Sequence, residues 1–229
     1  MNETEWLRCD DPQKMLKHLG GKASDRQLRL FVVACCRRLL PSVPAARWEM
    51  QGADEFVAVL ERHAYGQIAA AEWDETLGRV LRQRDEIYHA TCDLLPADFC
   101  TILCAIGNTP TEGAAWASLN ANIALSNFPR RPELHEAGGT AEARAQAALL
   151  REIIGNPFRP VAVKPSWRTP AVVAVARGIY EDQRFQDLPI LADAVEEAGC
   201  TNGELLGHLR GSVAHLRGCW AVDHFLANE

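Results

Sequence analysis

The sequence predicts an all-α fold: an irregular multi-helix bundle of about nine or ten helices, with a proline-rich extended crossing before the C-terminal helices. Three observations lead there. Apolar residues recur at the three- and four-residue spacing of a helix face. Residues that start and stop helices punctuate the chain at short intervals. Runs that alternate apolar and polar residues, as a half-buried strand does, are nearly absent.

Taken in order, Ser24 and Gln27 form a capping box before RQLRLFVVACCRRLL, in which Leu28, Phe31, Val32, Cys35 and Leu39 share one face. Pro41 stops that helix. ADEFVAVLERHAYG closes on Gly66, and a third helix is expected from about Ala70 to Leu95. ADFCTILCAIG follows Pro96, and Thr109-Pro110 opens a helix through AAWASLNANIALSNF. FPRRPELHEAGGT reads as a loop, and Thr140 as the start of an alanine-rich helix ended by Gly155. GNPFRPVAVKPSWRTP carries four prolines and cannot be a helix. Thr169-Pro170 opens AVVAVARGIYED, and Asp187 with Pro189 opens ILADAVEEA, which stops at Gly199. Thr201 and Glu204 make a capping box for ELLGHLR, and the chain closes on CWAVDHFLA.

No segment repeats at a solenoid period. We expect residues 1–229 to form a single all-α domain, with a soft boundary near 129–139 between an N-terminal bundle and a C-terminal helical subdomain. At 229 residues the chain is long enough for a real core. Its net charge of −6 repels phosphate backbones and anionic lipid, so nucleic acid and membrane surfaces are disfavoured partners. The acidic N-terminus MNETEWLRCDD lacks the apolar core of a secretory signal, and the expected location is cytoplasmic. The eight cysteines sit mostly inside apolar helical runs, where reduced thiols act as small buried hydrophobes.

Two clusters have the donor chemistry of zinc or iron. Cys200, His208, His215 and Cys219 lie in GCTNGELLGHLRGSVAHLRGCW, where HLRG occurs twice. On one straight helix His208 would sit about 10 Å from His215 along the axis, too far for one ion. The set works only if the helix breaks at Gly211. Three glycines (Gly207, Gly211, Gly218) favour that break, since each costs about 1 kcal/mol inside a helix. The expected result is two helices joined at Gly211-Ser212, with Cys219 and Trp220 opening the last. The second cluster is His89, Cys92, Cys100 and Cys104, two helical pairs on either side of Pro96. The competing reading for both is ordinary packing of thiols in a dry core, and no cofactor is required by the sequence.

AVEEAGCTNGELL has the rhythm of a DNA-reading helix-turn-helix, but Glu196, Glu197 and Glu204 stand where phosphate contacts need lysine or arginine. Phosphate-binding loops, dinucleotide fingerprints, HExxH and G-x-S-x-G are all absent from the sequence, so no catalytic residue is assigned. Phe158 and Trp167, aromatics of the proline-rich crossing, are the candidate protein-partner contacts; alternatively they pin that crossing to the bundle.

Three segments carry a resemblance: WLRCDDPQKMLKHLGGKASDRQLRLFVVACCRR, GNPFRPV, and FQDLPILADAVEEAGCTNGELLGHLRGSVAHLRGCWAVDHFL. They resemble an uncharacterised planctomycete-type bacterial family. The resemblance implies a cytoplasmic bacterial protein and a loop at residues 211–214 between two helices. It brings no activity and no catalytic residue. The function expected from the sequence is a non-catalytic helical interaction or scaffold protein. The alternatives are a metal-binding protein, structural or catalytic, and a helix-turn-helix DNA-binding protein.

Overall fold

A computed structural model describes residues 1–39, 53–91, 114, 135–211 and 215–226. The fold is all-α, with ten α-helices and no strand among the described residues. The chain divides into two compact units, Glu3–Leu150 and Arg151–Glu229. The dividing line falls inside a helix, C-terminal to the 129–139 stretch that composition marks. Residues 129–134 of that stretch lie outside the described residues.

The first unit holds α1 (Glu3–Arg8), α2 (Pro12–Leu19), α3 (Asp25–Leu39), α4 (Ala53–Ala64), α5 (Ala70–Thr91) and most of α6 (His135–Ile154). Asp11 caps α2 by accepting from Lys14 N–H, and Pro12 occupies its first turn. The expected box at α3 is present: Ser24 Oγ accepts from Gln27 N–H, and Gln27 Oε1 accepts from Ser24 N–H. The single apolar stripe expected for α3 is too narrow. Leu30 to Cys36 are all buried, so that stretch is covered on every side. α3 packs on α4, and the Arg37–Glu61 pair ties the two helices. α6 corrects the expected start at Thr140. It begins at His135 and runs through Gly138 and Gly139, because extending a formed helix adds a hydrogen bond per residue and absorbs glycine's cost.

The second unit begins with the last turn of α6. The proline-rich stretch then runs without α-helix to α7 (Pro170–Glu181), apart from one 3-10 turn at Pro165–Trp167. α8 (Leu188–Glu197), α9 (Gly203–Leu209) and α10 (Trp220–Leu226) complete it. Thr169 caps α7 as expected, accepting from Val172 N–H at 3.3 Å. Two expected caps are corrected. Asn202, not Thr201, caps α9 by accepting from Leu205 N–H. Asp187 precedes α8 without a side-chain cap bond and pairs with Arg184 instead.

One core joins α7 to α10, with Ile179, Leu188, Leu191, Val195, Leu205, Leu209 and Phe225 almost fully buried. Trp167 belongs to it at 5% exposure, so it is corrected from partner contact to anchor of the proline-rich crossing. A large apolar ring gains more from burial than the crossing loses in freedom. Phe158 remains exposed, at 37%.

Candidate metal centre

Four side chains of the second unit converge: Glu152, His208, His215 and Cys219, each offering one donor atom within 4.8 Å of all the others. Each is placed by local structure. Glu152 stands in the last turn of α6, just before Gly155 ends that helix at φ +74°. His208 stands in the last turn of α9. α9 stops at Leu209, and Gly211 N–H closes the turn on His208 C=O. Residues 212–214 lie outside the described residues. His215 precedes a turn at Arg217-Gly218, and Cys219 immediately precedes α10, accepting from Asp223 N–H through its carbonyl.

The expected break is therefore present, and it folds the two HLRG histidines together. Their rings lie 4.9 Å apart, edge to face. A second constraint sets α10 against the end of α6. The Trp220 ring covers Gly155 so closely that a Cβ there would lie 3.2 Å from Trp220 Cγ. Glycine is needed at 155 on both counts, for its positive φ and for that ring. Trp220 also packs 4.8 Å from the His208 ring.

The distances are near those of a coordination shell. His208 Nε2 lies 3.2 Å from Cys219 Sγ and 3.5 Å from Glu152 Oε2. His215 Nδ1 lies 2.9 Å from Glu152 Oε1. A zinc tetrahedron with arms of 2.0–2.3 Å has edges of about 3.3–3.8 Å, so shifts of roughly half an ångström, up to about 1 Å on the widest pair, complete it. Glu152 Oε2 and His215 Nε2 are buried and make no hydrogen bond. A buried polar atom left in that condition costs about 1–3 kcal/mol, and a cation among the converging donors is a partner that would satisfy the Glu152 oxygen.

Burial pushes the Cys219 thiol well above the ordinary cysteine range, and the Glu152 charge and its hydrogen bond with the thiol add to this; the Val222 and Ala221 N–H groups pull the other way. Burial likewise lowers His208, against the opposing pull of Glu152. His208 thus keeps a lone pair for a ligand, and a bound cation would hold the sulfur as thiolate.

The His208–Cys219 contact also has the reach of a nucleophile and its base. Two facts weigh against that use: Cys219 is 1% exposed, and its thiol is pushed up rather than down. The structure pairs Cys219 with His208 and His215 with Glu152.

Cys200 is corrected. It is buried in the apolar core, its sulfur accepts from Asn202 N–H, and it is not among the four converging groups. Its place is taken by Glu152, a carboxylate between the buried Leu150 and Ile153 that sequence reasoning missed. Of the second candidate cluster, His89 lies in α5, and Cys92, Cys100 and Cys104 lie outside the described residues. For the helix-turn-helix alternative, Arg210 follows α9 but is held by Asp193 at 2.7 Å and Glu196 at 2.6 Å.

Among the described residues no helix is long and apolar enough to cross a membrane. No protein-family model, curated protein or solved structure matches the chain.

Proposed function

We propose that this protein is a metal-binding protein whose C-terminal unit takes one zinc ion at Glu152, His208, His215 and Cys219. The single observation that supports this most is the convergence of the four donor atoms within 4.8 Å of one another. The donor set favours zinc. One thiolate and two imidazoles suit a borderline-soft ion, and a carboxylate is an accepted fourth ligand. Calcium and magnesium ask for shells of oxygen.

The test is elemental analysis of the full chain, purified without chelator and without a histidine tag. The expected result is about one zinc per chain, lost in both His208→Ala and Cys219→Ser. Protein that carries no metal and takes up none from buffered zinc would refute the proposal.

A further inference from the structure

We infer that the ion passes between this site and solution through His208: its imidazole is the ligand that steps aside for an incoming small chelator, and the Trp220 ring is the positioning group that holds it on. This rests on the proposed metal site and assigns how that site exchanges its ion.

The four donors differ in their reach to water. The side chains of Glu152 and His215 are 2% and 5% exposed and Cys219 is 1% exposed, whereas the His208 side chain is 16% exposed. They also differ in what holds them. Glu152 and His215 hold each other at 2.9 Å. The Cys219 sulfur takes the Val222 and Ala221 N–H groups at the first turn of α10. Beyond Cys219 and Glu152, His208 meets two rings among the described residues, Trp220 at 4.8 Å and His215 at 4.9 Å.

The cost of departure selects the same residue. A carboxylate or thiolate that left the ion would be stranded as a charge in the core. A departing imidazole is neutral, and that of His208 reaches water. The backbone that carries it stays in place. α9 is fixed by the Asn202 cap, by the fully buried Leu205 and Leu209, and by Arg210, paired to Asp193 and Glu196 just past its end. Release is therefore the rotation of one side chain, a fast motion where that side chain meets solvent. In the step, the bond from zinc to Nε2 breaks, the electron pair stays on the nitrogen, and a donor atom of the chelator gives its own pair to the ion. When the ion is carried off, the Cys219 sulfur takes a proton from water. Nothing is oxidised or reduced.

Trp220 restrains that rotation. Its ring lies against His208 and is itself seated on Gly155, where a Cβ would come within 3.2 Å of its Cγ. An indole is not a zinc ligand, so substituting Trp220 changes the hold on His208 and leaves the donor set intact.

The experiment loads the full chain with zinc and follows transfer of the ion to pyridylazoresorcinol, a small chromophoric chelator. If zinc does not bind, the proposed function fails and this inference with it. If it binds, the transfer rate should rise in proportion to chelator concentration and exceed the opening rate that hydrogen exchange gives for the Val195 amide in α8. A rate independent of chelator and equal to that opening rate would mean that the ion leaves only on unfolding; it would overturn this inference and leave metal binding intact. On the loaded chain, diethyl pyrocarbonate should modify His208 before His215, read by mass spectrometry, and the reverse order would overturn the choice of His208. Trp220→Leu should raise the chelator-dependent rate about fivefold, the worth of one aromatic contact. Phe225→Leu, on the same helix, should leave that rate unchanged. Equal rates in the two variants would overturn the role of Trp220. Should Trp220→Leu not fold, the concentration dependence and the order of modification in the wild-type chain carry the test.

Discussion

Two carboxylates on α6, Glu142 in the first unit and Glu152 in the second, are buried to the same degree, each 3% exposed, yet they have different company. Glu142 accepts from the Arg38 guanidinium through both oxygens, at 2.8–3.3 Å, and Oε1 also accepts from Gln146. Its charge is matched by a fixed cation from the chain itself. Glu152 faces two imidazoles and a thiol, and among the described residues no arginine or lysine pairs with it. A buried carboxylate is tolerated only when its charge is matched. Glu142 is a completed structural pair, whereas Glu152 belongs to a set of donors that could hold a cation.

The largest expected effect would break this comparison outright. Zinc in thousandfold excess over its Kd should stabilise the wild-type chain by about 4 kcal/mol. Glu152→Gln should lose most of that increment, and Glu142→Gln should keep it. Thermal or urea unfolding with and without zinc reads the difference, and equal behaviour of the two variants would erase the distinction.

Next in size is Arg38→Ala, which removes the cation that Glu142 uses. Stranding a buried charge costs about 3–5 kcal/mol, and the partly exposed guanidinium reduces this to about 2–3 kcal/mol. Zinc should not restore the loss, as urea titration at saturating zinc would show. Gly155→Ala should cost about 1–3 kcal/mol, because alanine is strained at a positive φ and its Cβ meets the Trp220 ring. If that contact sets the metal geometry, the variant should also bind zinc more weakly, measured by competition with a chromophoric chelator. Gly66→Ala, at a positive φ with no neighbour within 4 Å, is the control that should leave zinc affinity unchanged.

The smallest effect sharpens the contrast among thiols. Burial pushes Cys36 up to about 12 and Cys35 well above the ordinary range, with Cys36 and Glu142 adding to the latter. A raised cysteine pKa keeps the neutral thiol at every pH below it, so neither residue carries reactive thiolate at pH 8. In the native chain both should resist a thiol reagent, with or without zinc. Among the cysteines of the described residues, half-buried Cys9 should react first. Mass spectrometry of the labelled chain checks the order, and early labelling of Cys36 would contradict its burial.

What the sequence by itself determined is what neighbours along the chain decide. The helical class, the Ser24/Gln27 box, the Thr169 cap and the break after Leu209 all depend on residues within about four positions of one another. The break alone made three members of the candidate site legible, because His208, His215 and Cys219 flank it in sequence. The tertiary structure decided everything that needed a distant partner. Glu152 joins His215 from 63 positions away, and the one signal of it is a carboxylate between the buried Leu150 and Ile153. Cys200 and Trp167 have the chemistry of a ligand and of a contact residue, but core packing claims both. Near a helix end the sequence offers several capping side chains of similar strength, and only the fold selects Asn202 over Thr201. Local preferences of about 1 kcal/mol set where helices start and stop. Which buried groups meet depends on how the helices pack, and no short-range pattern in the sequence records that.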